Sequence, residues 1–143
     1  MAKRRGVDKA TIVPANATTL DQLCPDLSNW PELWMIEQAD VTIGERIVQI
    51  IQPFLLDLLH HGLAVKTLAR HRDHIQMLGG EIIRRHHDDP SSAKRPVRDV
   101  MLDLIDDDSG PLIWPRITES AQNAFDATCR RLSRFLQQQN ARK

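Results

Sequence analysis

At 143 residues the chain is the usual size of one domain and long enough to bury a real core. Its 19 Lys and Arg are balanced by 19 Asp and Glu, so no overall field draws it to nucleic acid or to a membrane. Aromatic residues are 4% of the chain, with no tyrosine, so the core has to come mainly from Leu, Ile and Val.

Residues 1–18 carry Lys3, Arg4, Arg5 and Lys9 among small polar residues, and read as a mobile basic tail without the apolar stretch of a signal peptide. Residues 19–143 read as a single helical domain. Thr19-Leu20-Asp21-Gln22 has capping-box spacing and predicts a short helical turn ended by Pro25. Pro31 suits the first turn of a second short segment, in which Trp30 and Trp34 form either a brace across the main helices or an exposed docking patch.

Thr42-Ile43-Gly44-Glu45 is a second capping box and predicts the start of the first long helix. Ile43, Ile47, Ile50, Ile51, Phe54, Leu55, Leu58 and Leu59 recur at helical spacing there, with Pro53 predicting a kink or two abutting helices. Gly62 is placed to end it in the left-handed conformation. The central helix is predicted from Val65, with Leu68, Ile75, Leu78, Gly79, Ile82 and Ile83 on one side and Pro90 beyond its end. Gly79-Gly80 predicts a second helix crossing closely at that point.

Pro96 suits the first turn of a third helix, with Val97, Val100, Met101, Leu104 and Ile105 facing in. Asp106, Asp107 and Asp108 oppose the dipole of a helix C-terminus and are expected in a turn. Leu112-Ile113-Trp114-Pro115 reads as a short extended piece, and Thr118 as the cap of the last helix. That helix carries Ala121, Phe125, Thr128, Cys129, Leu132, Phe135 and Leu136 as its apolar stripe. The expectation is an all-α fold: a compact bundle of four main helices with short N-terminal helical segments.

All six histidines lie between residues 60 and 87. Neighbouring histidines on a helix diverge by about 100°, so each adjacent pair offers one ligand to a common point. There is no HExxH and no CxxC, and no metal or cofactor is expected. His71 projects beside the apolar stripe and is expected half-buried with a local partner, with His74 more peripheral. Cys24 and Cys129 suggest no disulfide framework, which points to a reduced cytoplasm. Cys129, on the last helix's stripe, is expected buried and inert. No phosphate loop, dinucleotide fingerprint or nucleophile elbow occurs, and no catalytic residue is expected.

Basic charge is unevenly spread. From residue 62 to 98, Lys and Arg number eight against four Asp and Glu. Lys66, Arg70 and Arg84 project away from the apolar stripe of the central helix, and Arg130 and Arg134 do so on the last helix. Such cations either reach phosphates or form an ordinary surface laced with pairs one helical turn apart. Asp73 and Glu81 interrupt the basic face.

The segments KTLARHRDHIQMLGGEIIRR, SGPLI and FDATCRRLSRFL resemble a family of small bacterial proteins of uncharacterised activity, over roughly residues 43–136. A second, shorter segment, PFLLDLLHHGLAVKTLARHRDHIQML, is similar to the start of the core-binding domain of tyrosine recombinases and phage integrases. In that family a helix ends at a glycine, a capped turn follows, and the next helix lies against DNA. The resemblance implies a four-helix domain with Lys66, Thr67 and Arg70 towards duplex DNA. Ala64 stands where that family has a capping serine. The family's tyrosine nucleophile and its His-x-x-Arg element are both missing, so what it implies is a binding module without the chemistry. The alternative function is a protein-interaction or regulatory subunit docking through Trp30 and Trp34.

Overall fold

The computed structural model describes residues 13–14, 17–106 and 108–141. The basic residues of the N-terminal tail, Lys3 to Lys9, and Asp107 of the acidic run lie outside the described residues. Among these residues six α-helices follow in order: α1 (Leu20–Leu23), α2 (Trp30–Trp34), α3 (Asp40–Leu59), α4 (Val65–Asp88), α5 (Val97–Leu104) and α6 (Glu119–Ala141). Tight helical turns at Leu27–Asn29 and Pro90–Lys94 join them, and no strand occurs among the described residues. The all-α bundle is the architecture that the apolar periodicity predicts.

Local chemistry sets most helix ends. The Thr19 hydroxyl accepts the Gln22 N–H at 3.2 Å while the Gln22 side chain accepts the Thr19 N–H at 3.2 Å, a complete capping box. Gly62 adopts φ 66° in the turn that separates α3 from α4. Ala64 precedes α4 with no side-chain cap, as its missing hydroxyl dictates. The Thr118 hydroxyl accepts the Ala121 N–H at 3.0 Å to start α6. Pro96 sits just before α5, as its cap, and not in the helix's first turn.

The expected cap at Thr42 is corrected: α3 begins two residues earlier, at Asp40. A carboxylate accepts more hydrogen bonds than a hydroxyl. Asp40 takes the N–H groups of Ile36 and Glu37, each at 2.9 Å, and so folds the preceding chain into a turn before the helix. From there α3 runs as one helix through Pro53 to Leu59, with Ile47, Ile51, Phe54, Leu55 and Leu58 buried.

The two glycines of α4 make room for an aromatic ring and not for a crossing helix. A Cβ on Gly79 would lie 2.2 Å from Cζ2 of Trp34, whereas one on Gly80 would meet only Cδ1 of the same ring, at an ordinary 3.5 Å. The Trp34 indole N–H donates to the Gln76 carbonyl at 2.8 Å. On the opposite side Gly44 lets Pro31 press onto α3, where a Cβ would lie 2.8 Å from the Pro31 Cα. Thus α2 is wedged between α3 and α4. Trp30 and Trp34 are 1% and 8% exposed, so they are a brace, and the expectation of an exposed docking patch at these two residues is corrected.

The acidic run leaves the helix where expected. α5 ends at Leu104, and the Asp106 carboxylate accepts the N–H groups of Asp108 and Ser109, each at 2.7 Å, in a turn. Segment 111–114 forms no ladder. It is stitched to α6 by buried Gln122, whose carbonyl accepts the N–H groups of Ile113 and Trp114 at 2.8 and 2.9 Å. The amide of Gln122 donates back to the Pro111 carbonyl at 3.1 Å.

Candidate functional site

α4 and α6 pack against one another, and two histidines fix their register. His71 and His74, three residues apart on α4, each place Nδ1 2.7 Å from the Thr128 hydroxyl of α6. The edge of the His74 ring also meets Phe125 at a centroid distance of 5.9 Å. Near the other end of α4, Glu81 pairs with Arg116, which lies just before α6 starts. The two helices are therefore antiparallel. Continuing the register from Thr128 puts Arg70 level with Arg131, and Lys66 level with Arg134. At about 100° per residue all four project to the same side of the helix pair.

Among the described residues these four cations have no counter-ion. Lys66, Arg70 and Arg134 are exposed and Arg131 half-buried, and none makes an ion pair or a side-chain hydrogen bond among the described residues. Thr67 is half-buried in the first turn of α4. Arg70 and Arg131 are both close enough to act electrostatically on His71.

The other two expected phosphate contacts are differently engaged. Arg84 pairs with Glu81 at 3.6 Å, and Arg130 donates to the Asp108 carbonyl at 2.8 Å, closing the acidic turn. Glu81 does not interrupt an exposed basic face. It is 4% exposed, and it accepts from Arg85 at 2.7 Å and from Arg116 at 2.9 Å. Burial works against the charge of Glu81, but the hydrogen bonds from Arg116 and Arg85 outweigh it and hold the carboxyl below its usual range. Arg95 is matched with Asp103, and a cleft of about 480 Å³ beside it is lined by Arg84, Arg85, Asp88 and Asp103 together.

The histidines divide in the same way. His71 is 9% exposed, and its partner is not local but lies 57 residues away on α6. Burial, helped by Arg131, His74 and Arg70, lowers its pKa to about 4, so the ring is neutral at physiological pH. Burial, helped by Arg70, also lowers that of His74. His87, at the end of α4, donates instead to the buried Asp40 carboxylate at 2.8 Å, and this hydrogen bond raises its pKa. Burial opposes charge on Asp40, but the Glu37 N–H and His87 bonds prevail and keep its pKa low.

Among the described residues no group of three His, Cys, Asp or Glu is arranged to hold a metal. Both cysteines are free and buried. Burial pushes the Cys24 thiol up to about 12 and raises that of Cys129 as well, so neither forms a reactive thiolate.

Arg131 is the member of this constellation that sequence reasoning left out, and Thr128, read there only as part of the apolar stripe, is the hydroxyl that both histidines meet. Arg131 follows Thr128 by three and precedes Arg134 by three, a spacing that could have drawn attention to it. No protein-family model, curated protein or solved structure matches the chain.

Proposed function

We propose that the chain is a non-catalytic helical module that binds duplex DNA through its phosphate backbone. The binding face is the one shared by the start of α4 and the end of α6. One observation carries this reading. In a chain of zero net charge, where Arg84, Arg85, Arg95 and Arg116 each have a carboxylate, four cations without one among the described residues project to a single face. Like charges left together repel, and a polyanion relieves that repulsion by binding.

The resemblance to the integrase core-binding domain agrees with it at the start of α4, where left-handed Gly62 turns the chain and Lys66, Thr67 and Arg70 follow. In this reading Arg131 joins Arg134 as a phosphate contact, whereas Arg84 and Arg130 serve the fold. Two free, buried cysteines suit a reducing bacterial cytoplasm.

Anisotropy of a labelled DNA duplex, titrated across salt concentrations, tests the proposal. Four neutralised phosphates give a log–log slope of roughly −3.6, since each contributes about −0.9. Lys66→Glu with Arg70→Glu, or Arg131→Glu with Arg134→Glu, should each weaken binding by more than about tenfold, while Arg84→Glu changes it little. Absence of binding at low salt overturns the reading.

A second reading has its own observation. Leu33, Met35 and Ile36, on and just after α2, are 59%, 40% and 62% exposed. They make the outer side of the brace a surface for a protein partner, in place of the buried Trp30 and Trp34.

A further inference from the structure

The inference concerns the regulation of the α4–α6 face and rests on its reading as a phosphate-binding surface. Beside that face, His71 and His74 both hold Nδ1 2.7 Å from Thr128 Oγ1, and Thr128 is fully buried. A hydroxyl has one proton. With both rings neutral, it donates to one Nδ1 and accepts from the other, so the two histidines are locked as opposite tautomers. If one proton is added, both rings donate to Oγ1. The triplet thus accepts a proton with both imidazole Nδ1 atoms still hydrogen-bonded to Oγ1.

What opposes that proton is burial and charge. Arg70 on α4 acts on both rings, and Arg131 on α6 acts on His71. Asp73, the carboxylate that acts on His74, is itself gripped by the Arg72 guanidinium at 2.9 Å. On α3, Asp57 is taken up by His61. Burial is the larger part of that opposition, and a phosphate seated on Arg70 and Arg131 removes the part that comes from these two charges.

We infer that binding of a phosphate backbone at Arg70 and Arg131 is linked to proton uptake by the His71–Thr128–His74 triplet, so that this face holds polyanions more tightly in acid than in neutral solution. Where uptake reaches a full proton, affinity rises about tenfold for each unit fall in pH.

Two measurements on the full chain test the linkage. The first follows the imidazole resonances of His71 and His74 through a pH titration by NMR, in the wild type and in Arg70→Gln with Arg131→Gln. Loss of the two cations should raise the titration midpoints by about half a unit or more. The second is calorimetry of a short DNA duplex binding to the wild type in buffers of different ionisation enthalpy, which counts protons directly. The expected result is net uptake that vanishes in His71→Asn with His74→Asn. Midpoints that do not move overturn the linkage, whatever DNA does. Midpoints that rise with DNA binding that takes up no proton also overturn it while leaving the DNA reading intact. Midpoints that rise with no DNA binding at all sink the DNA reading and the proposal together.

Discussion

The two ends of α4 both carry cations and, apart from Arg72, which is paired with Asp73, treat them in opposite ways. Towards its C-terminus each is matched: Arg84, Arg85 and Arg116 share Glu81, and His87 is held by Asp40. Towards its N-terminus Lys66 and Arg70, with Arg131 and Arg134 across from them, have no carboxylate among the described residues, and burial lowers the pKa of the histidines beside them. Matched charge ties segments together, here the 111–116 loop to α4 and the start of α3 to its end. Unmatched charge ties no segment to another. A net charge of zero hides this division completely.

Glu81→Gln strikes the matched half hardest. It leaves three half-exposed guanidinium groups without their shared carboxylate, and a loss of about 2 kcal/mol in urea denaturation is expected, since hydrogen bonds to charged groups are worth roughly 1.5–3 kcal/mol. Neutralising Arg70 and Arg131 to Gln should cost nothing, or stabilise slightly. Equal losses in the two variants would erase the comparison. Thr128→Val keeps the shape of the side chain but strands two imidazole nitrogens, which should lower stability by about 1–2 kcal/mol in the same assay.

Stability also depends on pH, and the sign of that dependence differs between the halves. His71 has a folded pKa lowered from 6.5 to about 4, so its contribution is complete above pH 6.5 and declines as the pH falls from there towards 4. His87 has a raised folded pKa, so its contribution is complete below 6.5 and is lost as the pH rises through the raised value. Thermal unfolding between pH 4 and 8 should therefore show His71→Asn flattening the acid side of the profile and His87→Gln flattening the neutral side. A single slope common to both variants would contradict the assignment.

Much of the fold was readable because it depends on neighbours in sequence. The stripe Leu68, Ile75, Leu78, Ile82 and Ile83 is buried as its spacing predicts, and Thr19, Gly62 and Thr118 end or begin helices through bonds or dihedral angles of their own. The misreadings are non-local. The first long helix starts at Asp40, before Thr42, and the Asp40 carboxylate that folds the preceding turn is also held by His87, 47 residues on. Glu81 looked like one more surface acid on a polar face, and its burial depends on Arg116, 35 residues away. Gly79 announced a close approach, but the identity of the visitor, Trp34, is a tertiary fact. At the candidate site Lys66, Arg70 and Arg134 could be named from helical projection. Arg131 could not be paired with Arg70 until His71 and His74 had set the register of the two helices.

The seating of Trp34 on Gly79 also gives the protein an internal optical gauge. The chain has three tryptophans and no tyrosine, so its ultraviolet emission comes from indole almost alone. Trp30 and Trp34 lie 5.8 Å apart in the dry interior, while Trp114 is 49% exposed and already reports water. Withdrawal of α2 from α4 breaks the bond to the Gln76 carbonyl and wets both buried rings, shifting their emission to the red. Phenylalanine at position 114 leaves a spectrum belonging to the brace alone, and loosening of that wedge can then be followed separately from events at the α4–α6 face.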